Sequence, residues 1–233
     1  MEERYVRTAA LYGENAVKKL NSAHVAVFGL GGVGGYAVEA LARAGVGTLT
    51  LVDGDSYSLS NLNRQLFATE KTVGVKKTAA AKDRVKEISP TTEVIAVDAF
   101  VLEDNVKDFD FSSFDYVIDA IDTITGKLAI IKACKKVGTS VISCMGTGNK
   151  LDPTQLKVAD IAKTKTCPLC RVMRKLLKDN GVDGLTVVYS EEAPKKPLVC
   201  ENDKKQVPAS MVFVPSVAGM TLAYKVASDI ISK

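Results

Sequence analysis

Two asparagines, an arginine and a glutamine fall within five positions at Asn61, Asn63, Arg64 and Gln65, in the stretch DGDSYSLSNLNRQLF that runs from Asp53 to Phe67. Arg64 offers a planar fork of donors that matches phosphate oxygens. Lys77, which follows VGVK at a predicted helix start, adds a point charge. Asn61 and Gln65 can orient oxygens without adding charge. This set suits chemistry on a triphosphate, where charge must be neutralised on the phosphates and on the leaving pyrophosphate. Hydride transfer needs a nicotinamide groove and has no use for fixed cations here, so an NAD-dependent oxidoreductase fits less well. Mg²⁺ is held by one or two carboxylates together with the phosphates. Asp119 and Asp122 in IDAID close a predicted strand, the end at which open α/β sheets bind ligands. Taken singly, Arg64 also fits a surface salt bridge, and the two aspartates fit a helix cap. Their joint occurrence favours a phosphate site.

The elements that must position these residues begin with a glycine-rich turn. Gly29, Gly31 and Gly34 make G-x-G-x-x-G after the apolar run HVAVFGL and at the start of VGGYAVEALARAG. Glycines let the backbone approach phosphates, and a helix N-terminus attracts anions. The candidate nucleotide-binding positions are therefore Gly29, Gly31, Gly32, Gly34, Asp53, Asp55, Asn61, Arg64, Gln65, Lys77 and Asp122. Asp53 closes the next strand, TLTLVD, where a carboxylate accepts hydrogen bonds from ribose hydroxyls. The glycine motif alone does not separate NAD, FAD, S-adenosylmethionine and ATP.

Further strands are predicted in TEVIAVDAF, FDYVIDAID and TSVISCMG, with helices in GVKKTAAAKDRVKEISP and GKLAIIKACKKVG. Strands alternating with helices predict an α/β fold, Rossmann-like, with a mostly parallel sheet flanked by helices. The reading is a single domain over residues 1–233. It comprises an N-terminal helical segment (1–22), a nucleotide-binding core (23–150) and a substrate- and RNA-binding extension (151–233) that continues the same sheet. In that extension PTQLKVADIAK and TVVYSEE read as strands. The uncharged run from Val207 to Tyr224 reads as a buried strand followed by a core helix.

The chain has 233 residues, 46% hydrophobic and 25% charged, with a net charge of +4. That is the balance of an ordinary globular protein, mildly basic, and it fits a nucleic-acid partner without requiring one. The charged first twenty residues read as no export signal, and five cysteines without one read as free thiols, so a cytoplasmic location without membrane attachment is expected. The lone His24 starts the first predicted strand, which argues against a Ser-His-Asp hydrolase. Cys144, in SCMGTG, is placed like a nucleophile, but burial as a small hydrophobe is the commoner use.

The glycine turn, DGDSYSLSNLNRQ, VGVKK and DAIDT, in this order, resemble the ubiquitin-activating-enzyme-like adenylating proteins. That resemblance covers most of the first 150 residues. It implies carboxylate adenylation with MgATP on a homodimer. It also implies that Asp53 holds the ribose, that Asn61, Arg64 and Lys77 contact the phosphates, and that Asp122 binds Mg²⁺. Arg7, in RYVRT, matches an N-terminal arginine that reaches the partner subunit's ATP in that family; read by itself it is a solvated helix charge. One branch activates ubiquitin-like sulfur carriers and commonly holds zinc on two C-x-x-C pairs. Here Cys167 and Cys170 make one pair, and only the lone Cys200 follows, so the four-thiolate site is incomplete and no structural zinc is expected.

The second half points to a different branch. DPTQLKVADIAKTKTCPLCRVMRKLLK, VVYSEE and FVPSVAG resemble the tRNA threonylcarbamoyladenosine dehydratases. That family activates the carboxylate of a threonylcarbamoyl group on an anticodon-loop adenosine, which then cyclises with loss of water. The resemblance implies a tRNA partner and leaves open a sulfur-transfer protein as a further one. From Lys157 to Lys178 seven basic residues stand against the single acid Asp160. Helical spacing puts Arg171, Arg174, Lys175 and Lys178 on one face, a candidate RNA surface or a solvated one.

Overall fold

The computed structural model describes residues 2–198 and 208–233. Seven strands form one sheet: β1 (His24–Phe28), β2 (Thr48–Val52), β3 (Glu93–Val97), β4 (Tyr116–Asp119), β5 (Ser140–Cys144), β6 (Leu156–Asp160) and β7 (Thr186–Ser190). Their order is β3-β2-β1-β4-β5-β7-β6. Every pairing is parallel except β6 with β7, which is antiparallel. The expected Rossmann-like sheet is therefore present, and the extension does continue it, through β7 and β6.

The helices are α1 (Val6–Tyr12), α2 (Glu14–Ser22), α3 (Gly34–Ala44), α4 (Lys77–Ile88), α5 (Ile124–Val137), α6 (Pro168–Asp179) and α7 (Phe213–Ser232). Strand alternation assigns each face its core. In β1, Val25 and Val27 join a cluster with Leu41 of α3, Val85 of α4 and Leu222 of α7. Ala26 and Phe28 join a second cluster with Ile130 of α5 and Met173 of α6 on the opposite face. Gly45 ends α3 in the left-handed region at φ 91°, the helix stop expected from the sequence.

One expectation fails. Among the described residues of the run beginning at Val207 there is no strand: Val212 caps α7, and Phe213 and Val214 open it. Cys200 and Val207 themselves lie outside the described residues. β-branched residues made the segment look extended, but packing on the sheet and on α3 selects the helix. Pro215 is tolerated because it sits in the first turn, where no intrahelical N–H bond is due. Gly219 is needed for contact: a Cβ there would lie 2.2 Å from the Val33 carbonyl oxygen at the start of α3.

Candidate functional site

The order of the sheet reverses at β1, which has β2 on one side and β4 on the other. A crevice opens outside the carboxyl ends of such strands. Here it is a cavity of about 1000 Å³, at the upper end of the range of roughly 300–1,000 Å³ for small-molecule sites. Gly29, Gly31, Gly32, Asp53, Asp55, Asn61, Arg64, Gln65, Lys77 and Asp122 all line it. Ten of the eleven candidate nucleotide positions thus converge from four separate segments.

The eleventh, Gly34, stands behind the wall. A Cβ on Gly34 would lie 1.8 Å from the Gly29 carbonyl oxygen, so the turn closes only with glycine there. Gly29 itself sits at φ 89°, and a Cβ would meet the Ala120 carbonyl oxygen at 2.7 Å. The turn is thereby pressed against the end of β4, a few residues from Asp122.

Asp53 is fixed by two backbone donors. Its Oδ2 accepts from Leu30 N at 2.7 Å and its Oδ1 from Asp55 N at 2.9 Å. Each oxygen keeps a further lone pair. Tyr57 donates to the Leu30 carbonyl at 3.3 Å, and burial together with the Asp53 charge raises its phenol, which stays protonated. Lys77 begins α4 and is buried; its Nζ lies 2.9 Å from Asp55 and 3.8 Å from Asp53.

Arg64 is held at one end only. Its Nη1 donates to Ser60 O and Asn63 Oδ1, each at 2.9 Å, and its other nitrogens have no hydrogen bond among the described residues. Asn61 uses its Oδ1 to accept from Ser58 N at 3.0 Å, closing a capping box on the short helical turn Leu59–Asn61. Gln65 is 8% exposed, and its Oε1 is the one buried side-chain polar atom without a partner among the described residues. An orphaned acceptor in a cavity wall carries a desolvation cost that a bound donor would relieve.

The two aspartates of IDAID part ways. Asp119 is fully buried and pairs with Lys127 Nζ at 3.0 Å. Ser143 also donates to Asp119, and Lys127 donates to the Cys144 carbonyl at 2.7 Å. Asp119 is thus neither a helix cap nor a free metal ligand. Asp122 is exposed on the cavity wall with no ion pair among the described residues, and it alone of the two can face a cation.

Lys127 and Lys150 are cavity-lining residues that the sequence reading missed. Lys127 left a signal: it stands where an apolar residue belongs, on the buried face of α5 with Ile130, Ile131 and Cys134. Lys150 is buried in a loop and donates to the Glu192 carbonyl at 2.6 Å; nothing in its spacing betrays it.

Cys144 lines the cavity as a thiol, since burial pushes it up to about 12. His24 lies at the opposite end of β1, bonded to Thr50 at 2.8 Å and edge-on to Phe114. Burial lowers its pKa. Arg7 is exposed on α1 and does not line the cavity.

The basic stretch is only partly free. Lys157 pairs with Glu191 at 2.6 Å. Arg174 turns back onto the carbonyls of Ile161 and Thr164, at 3.2 and 3.0 Å, so it serves the loop before α6 and does not share a free face with its neighbours. Arg171, Lys175 and Lys178 stay exposed on one stripe of α6. Among the described residues no helix is long and apolar enough to cross a membrane.

Comparison with known proteins agrees with this geometry. The ThiF family matches residues 4–229. The tRNA threonylcarbamoyladenosine dehydratase of Bacillus subtilis (strain 168) is 40% identical over 245 residues, covering 99% of this chain and 96% of the relative. The enzyme of that name from Escherichia coli (strain K12) is 40% identical over 199 residues, covering 82% of this chain and 74% of its own. A crystal structure of the E. coli tRNA N6-threonylcarbamoyladenosine dehydratase in complex with ATP superposes with a TM-score of 0.91 at 35% identity, covering 99% of this chain and 94% of that one.

Proposed function

Because the chain belongs to the ThiF family, we propose that it is an ATP-dependent tRNA threonylcarbamoyladenosine dehydratase that works by adenylating the substrate's carboxylate. The observation that carries this reading is the convergence of Asp53, Arg64, Lys77 and Asp122 on one cavity beneath the glycine turn. Asp53 takes the ribose hydroxyls of ATP, and the turn and the start of α3 take its phosphates. Arg64 supplies donors through its untied nitrogens, and Lys77, already beside two carboxylates, adds charge where pyrophosphate leaves. Asn61 orients a phosphate oxygen through its amide.

Mg²⁺ fits the donor set. It is held through one or two carboxylates plus phosphate oxygens and water, and Asp122 offers one exposed carboxylate at the cavity wall. Bound there, the ion would neutralise charge on the phosphates. The protein's own part in ring closure is placement: with the carboxylate turned into an adenylate, attack from within the same side chain is intramolecular, and AMP leaves.

Arg7 and the homodimer belong to the same reading. Phe213, Val217, Met220 and Tyr224 run down one exposed side of α7 at helical spacing and suit burial against a second copy. The direct test is to incubate the protein with ATP, Mg²⁺ and tRNA carrying linear threonylcarbamoyladenosine. Nucleoside mass analysis should show loss of one water, with AMP and pyrophosphate formed in step. Unchanged tRNA with active ATP turnover on another carboxylate would refute the substrate.

The RNA surface proposed is the stripe of Arg171, Lys175 and Lys178. Changing all three to alanine should weaken tRNA binding and flatten its salt dependence by about two to three units of slope, since each phosphate contact contributes roughly 0.7–0.9. ATP affinity is the control and should not move. A triple variant that binds tRNA with the parent's salt slope would place the RNA elsewhere.

A further inference from the structure

α6 opens on a pair of thiols that adenylation does not use. Cys167 is its N-cap, extended at φ −71° and ψ 119°, with its carbonyl accepting from Arg171 N at 3.2 Å. Pro168 takes the first helical position and Cys170 the third. Side chains at the N-cap and the third position are those that meet in a capping box; here both carry sulfur. Both are reduced. Thr166, immediately before, is a β-branched residue in the left-handed region at φ 63°, so the chain holds an unfavourable backbone as it enters the cap.

Both thiols are buried in the apolar cluster with Met173 and Leu177, and of the two only Cys167 also lines the nucleotide cavity. The neighbouring Cys170 thiol lowers the pKa of the Cys167 thiol against the opposing effect of burial, helped by the N–H groups of Cys170 and Leu169 and the charge of Lys150. Cys170 is pushed up by its Cys167 neighbour and by burial. Cys134 and Cys144, by contrast, are pushed up to about 12 by burial. A cysteine on a cavity wall at a helix N-cap, backed by a second thiol at the third helical position, is the arrangement in which a reactive cysteine is paired with a resolving one.

We propose that Cys167 and Cys170 form a hydroperoxide-reactive dithiol on the wall of the nucleotide cavity, with Cys167 the attacking sulfur and Cys170 the resolving one. The Cys167 thiolate attacks the terminal oxygen of a hydroperoxide. The O–O bond breaks, the alkoxide or hydroxide takes up a proton, and Cys167 becomes a sulfenic acid. The Cys170 sulfur then attacks the Cys167 sulfur. The S–O bond breaks, and hydroxide leaves with the Cys170 proton as water. Two thiols are oxidised to one disulfide, and one hydroperoxide is reduced to an alcohol (or water) and water. The inference does not depend on the identity of the enzyme's substrate. It requires only the cavity and the pair.

The experiment exposes the reduced full-length protein to increments of hydrogen peroxide, then alkylates it and maps its peptides by mass. The native protein should acquire a Cys167–Cys170 crosslink, reversed by a dithiol reductant. Cys170→Ser should stop at a Cys167 sulfenic acid that a cyclic diketone traps. Cys167→Ser should form no crosslink and react about tenfold more slowly or worse. A second measurement needs no variant: at neutral pH, iodoacetamide should label Cys167 of the reduced native protein faster than Cys134. Absence of the crosslink under excess peroxide, labelling of Cys167 no faster than of Cys134, or stoichiometric zinc that must be stripped before the pair reacts would each overturn the proposal.

Discussion

Asp122→Ala is expected to leave the fold intact and to cut the rate of tRNA dehydration by about 10²–10³, the usual cost of removing one group that stabilises developing charge. The side chain is exposed on the cavity wall and makes no ion pair among the described residues, so its loss should not be felt as lost stability. Arg64→Ala should behave similarly, because only its Nη1 is engaged by the protein. The measurement is single-turnover dehydration at saturating ATP and Mg²⁺, with the melting temperature as control. A folded Asp122→Ala protein at parental rate would remove the proposed metal ligand from the mechanism.

Lys127→Ala is expected to act on the fold. The Lys127–Asp119 pair is at most 1% exposed on either side, and stripping the cation leaves a buried carboxylate uncompensated. Such losses cost about 3–5 kcal/mol, a large part of the roughly 5–15 kcal/mol that holds a domain together. Replacing both partners, as Lys127→Met with Asp119→Leu, should recover most of that loss in urea denaturation, because apolar groups of similar volume need no partner. A single variant losing less than about 1 kcal/mol would mean that water or a shift of the chain satisfies Asp119.

The two aspartates of IDAID show how far the sequence could be read. Strand alternation, the glycine turn and the order of elements are short-range signals, and they located β1 to β5 and ten cavity residues. Which of two carboxylates three positions apart is consumed by a buried lysine is a long-range fact, decided by how α5 packs on β4 and β5. The same holds for Arg174. Its spacing placed it with Arg171, Lys175 and Lys178, but the loop before α6 supplies carbonyls that no local pattern announces. The opening of α7 failed for the opposite reason: local propensity was clear in VFV, and tertiary packing overrode it. The orphaned acceptor of Gln65 likewise becomes visible only once its neighbours are counted.

The contact of α7 with the glycine turn has a consequence for the order in which the molecule is made. Gly219 presses on the Val33 carbonyl, and Pro215 lies against Gly32, where an added Cβ would be 3.3 Å away. The brace behind the phosphate turn is thus encoded far downstream of the turn itself. A ribosome delivers β1 and the turn early and α7 late, and domains acquire such distant contacts only when both parts have emerged. The growing chain can therefore assemble the strands of the nucleotide half while their phosphate cradle still lacks its back wall. Nucleotide binding and completion of the fold are joined in time, and a nascent chain has no finished ATP site to fill until α7 has docked.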